Sequence, residues 1–118
     1  MDLDLIRSSF SITFHPDTGF VLELGSDAMV ETMPLFESVD SYSNGPAWEG
    51  MAEYLISRNP GLDGIELESE AGAMLARCGT RKPLEDLQAR LIGAASDDDE
   101  LRALIICARK AGFGDGDL

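Results

Sequence analysis

The chain has 118 residues, 44% of them hydrophobic, and nine basic against 22 acidic side chains give it a net charge of −13. A chain of that size holds one domain around one core, and its apolar content separates it from disordered sequences. No apolar run approaches the roughly 18 to 20 residues of a membrane span, and "MDLDLIRSSF" lacks the basic and apolar stretches of a signal peptide, so a cytoplasmic protein is expected.

The charge is unevenly spread. Between Arg7 and Arg58 there is no lysine or arginine, yet Asp17, Glu23, Asp27, Glu31, Glu37, Asp40, Glu49 and Glu53 lie there. From Arg58 onward, eight basic residues stand against twelve acids. A one-sign surface costs self-repulsion and commonly serves solubility or steering toward an oppositely charged partner. Nucleic acid and anionic membranes are disfavoured as partners, because both require a positive face.

In chain order, "SSFSITFH" alternates Phe10, Ile12 and Phe14 with polar residues, the period-2 mark of a half-buried strand. "PDTG" supplies a turn, and "FVLELG" sets Phe20, Leu22 and Leu24 on one face, so the two strands read as a hairpin. His15 is read as a solvated residue at the strand end. Residues 27–42, "DAMVETMPLFESVDSY", fit a short helix as far as Pro34, and that proline points to extended structure beyond it.

Asn44-Gly45 reads as a turn, and Pro46 suits the first turn of a helix. Trp48, Met51, Ala52, Leu55 and Ile56 then recur at i, i+3, i+4, i+7 and i+8, a full apolar stripe that ends at Asn59 before Pro60. Trp48 begins the stripe, so its first role is a structural anchor. Glu49 and Glu53 sit one turn apart on the flank, where like charges weaken a helix by a few tenths of a kcal/mol. They are read either as a solvated face or as a surface kept acidic for use.

"GIELESEAGAMLARCG" alternates Ile65 and Leu67 with Glu66 and Glu68, turns at "SEAG", and continues with Met74 and Leu75 as inward candidates, giving a second hairpin. "KPLEDLQARLIGA" is a helix carrying Leu84, Leu87 and Leu91 inward. "SDDDELRALIICARKAG" is the best-marked helix: Ser96 as cap, Asp97 to Glu100 at its positive end, Arg109-Lys110 at its negative end and Gly112 closing it. The acidic run lacks the alternating ligands and central glycine of an EF-hand. The expected fold is α+β: a small antiparallel sheet of two hairpins with about three helices packed on one face. Residues 1–112 form the domain and 113–118 a frayed tail.

No enzyme constellation emerges. One histidine and two distant cysteines, Cys78 and Cys107, make no zinc site and read as two buried thiols. There is no nucleophile motif and no phosphate-binding glycine loop. No catalytic residue, metal or cofactor is expected. Glu49 and Glu53 are the nearest approach to an acid/base pair, on a flank with no evident cleft.

The order of short motifs resembles a family of bacterial polymorphic-toxin immunity proteins. Members tend to carry Asn-Gly-Tyr-Asp-Trp, then an acidic Glu-Ala-Gly-Met segment and a closing Asp-Asp-Glu-Leu helix. Asn44, Gly45, Trp48, Glu70, Ala71, Gly72 and Asp98-Asp99-Glu100-Leu101 fall in that order over residues 30–108, with Pro46-Ala47 in place of Tyr-Asp and Ala73 inserted before Met74. The resemblance implies a stoichiometric inhibitor that binds a cognate toxin domain 1:1 and protects the producing cell. An acidic inhibitor suits a basic toxin, such as one acting on nucleic acid. The toxin-binding residues expected here are Glu31, Glu37, Asp40, Glu49 and Glu53 for charge, with Tyr42 and Asn44 as aromatic anchor and hydrogen-bond donor or acceptor. The alternative is an acidic adaptor or regulatory subunit for another basic protein.

Overall fold

The computed structural model describes residues 1–113. It is an α+β fold in two layers. Strands β1 (Phe10–His15), β2 (Gly19–Leu24), β3 (Glu66–Glu70) and β4 (Ala73–Cys78) form one antiparallel sheet in the order β1-β2-β4-β3. Each hairpin is antiparallel within itself, and β2 pairs antiparallel with β4 to join them. The helices are α1 (Leu3–Ser8), α2 (Ser26–Glu37), α3 (Gly45–Arg58), α4 (Lys82–Ala95) and α5 (Asp98–Lys110), with a 3-10 turn at Pro60–Leu62.

The register explains which face the helices cover. Ile12, Leu22, Ala76 and Leu67 lie abreast across the four strands, and Phe10, Leu24, Met74 and Ser69 form the next row. Because side chains alternate along each strand, these rows share one face. Leu22, Leu24, Met74 and Ala76 are fully buried there against Trp48 and Met51 of α3 and Leu84, Leu87 and Leu91 of α4. The opposite face carries Glu23, Glu66, Glu68 and Glu70, all exposed, with half-buried Val21, Leu75 and Arg77.

Several expectations change in three dimensions. The described residues contain five α-helices rather than about three. Helix α1 is too short to show a period, yet Asp2 caps it by accepting from the Leu5 N–H at 3.1 Å, and Ile6 is fully buried. Helix α2 runs straight through Pro34 to Glu37 instead of turning extended. Proline removes the hydrogen bond to the carbonyl four residues back, which is that of Val30. Val30 is 71% exposed, so water can serve that carbonyl, while burial of Leu35 and Phe36 holds the last turn in place.

At β4, Leu75 faces away from the helices, and Met74, Ala76 and Cys78 point inward. Asp97, not Ser96, caps α5 by accepting from the Asp99 and Glu100 N–H groups; the Ser96 hydroxyl donates to the Gly93 carbonyl at the end of α4. Cys78 is buried but Cys107 is exposed, because α5 turns Leu101, Ile105 and Ala108 inward instead. Gly112 has φ +87° and ends α5 in the left-handed region. The Phe113 N–H then donates to the Ala108 carbonyl at 3.0 Å, and its ring packs against the core. The remainder of the expected tail, residues 114–118, lies outside the described residues.

Asn44-Gly45 is not a free turn. Asn44 is the N-cap of α3, its side-chain oxygen accepting from the Ala47 N–H at 2.8 Å, and Gly45 is the first helical residue. The Gly45 N–H donates to the Ala71 carbonyl at 3.0 Å, so the helix begins directly on the β3–β4 turn. A Cβ on Gly45 would overlap the carbonyl oxygens of Glu70 and Ala73, which are rigid backbone. The Asn-Gly and Glu-Ala-Gly segments, distant in sequence, are therefore the two sides of one contact.

That contact makes a sharp prediction. Gly45→Ala should destabilise the fold by about 3 kcal/mol or more, because neither backbone can move aside without disturbing the sheet or α3. Gly72→Ala, two residues past the same carbonyl and with no atom near the added methyl, should change stability by less than about 0.5 kcal/mol. Chemical denaturation of both variants checks this; equal costs would remove the contact from the account.

Candidate functional site

Helix α3 positions the site. Its inward stripe is Trp48, Met51 and Ala52, with Leu55 and Ile56 half-buried at its far end. Trp48 is fully buried, and its ring lies 5.6 Å from that of Phe36, centroid to centroid. Its indole N–H donates to the Ser43 hydroxyl at 3.2 Å, and that hydroxyl lies 2.8 Å from the Thr32 hydroxyl. Thr32 in turn donates to the Ala28 carbonyl at 2.7 Å. Each buried polar group finds a partner, as burial requires, and the chain fixes the entry to α3 against α2.

With Trp48 locked inward, the helical period turns Glu49, Glu53 and Ile56 to one flank. That flank faces β3, and between them runs an open groove of about 400 Å³ walled by Ile56, Ile65, Leu67 and Phe113. Glu49 and Glu53 line the same groove and are half-buried. The flank is thus neither fully solvated nor without a cleft. It is an apolar trough with two carboxyl groups along one side.

The electrostatics of the pair follow from this geometry. Partial burial pushes the Glu53 carboxyl above its ordinary value of 4.5, and Glu49 adds to the shift through a hydrogen bond and through like charge. Among the described residues, ion pairs join Arg77 to Glu68, Arg81 to Glu85, Lys82 to Asp86 and Arg102 to Asp99, and none of these reaches Glu49 or Glu53. Among the described residues, the pair carries its repulsion without an ion-paired counter-charge. Its side chains can accept hydrogen bonds from a cation, and the apolar wall can take the methylene stem behind one.

The other expected contact residues do not converge on this groove. Glu31 lines a separate depression with Pro34, Asp98 and Arg102, and its carboxylate accepts from the Asp2 N–H at 2.7 Å. Glu37 is exposed at the end of α2. Asp40 adopts φ +58° just beyond it, and its carbonyl accepts from Arg109 at 3.1 Å. Tyr42 is 53% exposed and lines a third depression with Val30, Met33 and Asn44. The Asn44 side-chain oxygen is already engaged as the cap of α3, so its part is to start the helix.

Sequence reasoning missed Ile65, Leu67 and Phe113 as site residues. Ile65 and Leu67 look like ordinary inward strand positions, and nothing local places β3 beside α3. It also missed the acidic outer face of the sheet, although the alternation of Glu66, Glu68 and Glu70 signals it. Among the described residues, no helix is long and apolar enough to cross a membrane, and no group of three or more His, Cys, Asp or Glu side chains is placed to hold a metal ion. In comparison with known proteins, no family model, curated protein or solved structure matches the chain.

The raised Glu53 value fixes the sign of a pH effect. An acid whose pKa is higher in the folded state binds more protons folded than unfolded, so its contribution to stability falls as pH rises through the window above 4.5. Glu53→Gln should therefore stabilise the protein near neutral pH, by a few tenths of a kcal/mol from the lost like-charge repulsion. The gain should shrink as pH falls toward the ordinary carboxylate range. Denaturation of both proteins across pH tests this, and a gain that grows on acidification would contradict the assignment.

Proposed function

We propose that this chain is an immunity protein, a cytoplasmic, non-catalytic inhibitor that binds a basic toxin domain 1:1 through the α3 groove and its acidic surroundings. The observation that carries the reading is the Glu49–Glu53 pair: two half-buried carboxyls side by side on an apolar trough, with no ion pair to either among the described residues. A fold gains nothing from such a pair by itself. A guanidinium or ammonium group entering the groove relieves the repulsion, and the apolar wall covers its stem.

The wider charge pattern supports the same partner. The first half of the chain has no cation between Arg7 and Arg58, and the outer face of the sheet adds Glu23, Glu66, Glu68 and Glu70. Such a field draws a basic protein at high rate and repels nucleic acid. A toxin that acts on nucleic acid needs a positive face, and an acidic protein docked there blocks it. The resemblance of the motif order to that of immunity proteins agrees with this reading, and the Asn-Gly and Glu-Ala-Gly segments are joined at the base of α3, so they hold the groove's helix in position. Tyr42, with Val30 and Met33 beside it, offers a second, aromatic contact on the same chain.

Co-expression with the C-terminal domain of the adjacent upstream gene product is the direct test, scored by growth rescue and co-elution. Rescue with a 1:1 complex supports immunity. A harmless neighbour, or killing without a complex, transfers the argument to an acidic adaptor for another basic protein. Glu49→Lys with Glu53→Lys should weaken the complex at least a hundredfold, roughly 3 kcal/mol, with little change in melting temperature. Wild-type affinity in the folded double variant would remove the groove from the interface. Association should also slow as salt is raised.

A further inference from the structure

Among the described residues, the sheet order leaves two free edges, β1 and β3. An edge strand presents unpaired N–H and C=O groups to solvent, and folded proteins commonly guard it with charge, proline or a covering element. The β3 edge is guarded: Glu66, Glu68 and Glu70 alternate along it, all exposed. The β1 edge is not. Its sequence, Phe-Ser-Ile-Thr-Phe-His over residues 10–15, contains no Asp, Glu, Lys, Arg or Pro, in a chain where 22 acids and 9 bases make 31 charged residues. Exposure climbs along it from Phe10 at 7% to Phe14 at 61%, so an aromatic side chain stands open beside an unpaired backbone.

We propose that β1 is a self-association strand, on which a second copy of this chain pairs antiparallel about a twofold axis normal to the sheet, joining two sheets into one. The strand is self-complementary. In antiparallel pairing, residues directly opposite share a face. A register centred on Ile12 sets Ile12 against Ile12 of the second copy, Phe10 against Phe14, and Ser11 against Thr13. Apolar side chains thereby meet on the helix-covered face and hydroxyls on the other.

Charge selects the occupant. Two copies at −13 each repel over most of their surface, and a contact forms only where carboxylates do not face one another. The β1 edge is a strip with that property. A basic partner, by contrast, is drawn to the acidic surfaces and gains no charge complement at β1. The dimer is compatible with the proposed groove, because α3 packs on β3 and β4, away from the β1 edge. Each copy keeps its groove open, so a dimer holds two partners.

Analytical ultracentrifugation of the full chain over a dilution series tests the proposal. A reversible dimer is expected that strengthens as salt is raised, because screening removes like-charge repulsion beyond roughly 8 Å at physiological ionic strength. This is the opposite sign to partner binding at the groove, so the two readings fail separately. Ser11→Glu with Thr13→Glu places carboxylates opposite one another on exposed positions and should weaken the dimer roughly tenfold or more, with unchanged circular dichroism. Mixing that variant with Ser11→Lys/Thr13→Lys should restore a mixed dimer, which also demonstrates that both variants are folded. A wild-type chain that stays monomeric at all concentrations and salts overturns the proposal. So does a Glu variant that dimerises as tightly as wild type, or a mixture that shows no mixed dimer.

Discussion

The meeting of Gly45 with the β3–β4 turn is the constraint on which the remaining structure rests. Helix α3 must start where its backbone touches the carbonyls of Glu70 and Ala73, and only a residue without a Cβ allows that approach. Asn44 caps the helix from outside, and the Gly45 N–H is satisfied across the contact by Ala71. With the start fixed in position, the helical period sends Trp48 into the core, three residues on. The same period sends Glu49 and Glu53 to the flank beside β3. The groove therefore inherits its geometry from a glycine that does not line it.

Burial of Trp48 then ties this start to α2. Its indole N–H, the Ser43 and Thr32 hydroxyls and the Ala28 carbonyl form one short chain of hydrogen bonds inside an apolar core. A chain of that kind is costly if any member is left unpaired, so it fixes the segment between α2 and α3 alongside the apolar packing. Glu49 and Glu53 meet on the adjacent flank because they stand one helical turn apart, beside the apolar wall of the groove. That juxtaposition is what motivates the proposal of a cation-binding surface.

Much of the sheet was legible because a strand advertises itself through strict alternation. Phe10, Ile12 and Phe14, then Phe20, Leu22 and Leu24, mark β1 and β2 residue by residue, and Asp97 to Lys110 marks α5 by charge at both ends. The failures have local causes. Six residues of α1 hold too little of a helical period to register. Pro34 reads locally as a helix breaker, and here burial of Leu35 and Phe36 carries the helix past it. Ser96 and Asp97 are both competent caps, and the choice between them depended on where α4 ended. The sequence reading spread its candidate acids over one surface. In the structure Glu31, Asp40, Tyr42 and the Glu49–Glu53 pair belong to different neighbourhoods.

By itself the sequence determined the two hairpins, the apolar faces of α3 and α4, the end charges of α5, the role of Trp48 as core and the one-sign charge of the first half. Each of these is a property of neighbours along the chain, where period and composition act directly. Only the tertiary structure decided that Asn44-Gly45 is a docking point rather than a turn, that Ile65, Leu67 and Phe113 wall a groove beside Glu49 and Glu53, and that β1 is an uncharged edge. These depend on which elements lie side by side, and the interactions that settle it join residues far apart in sequence, with no trace in local pattern.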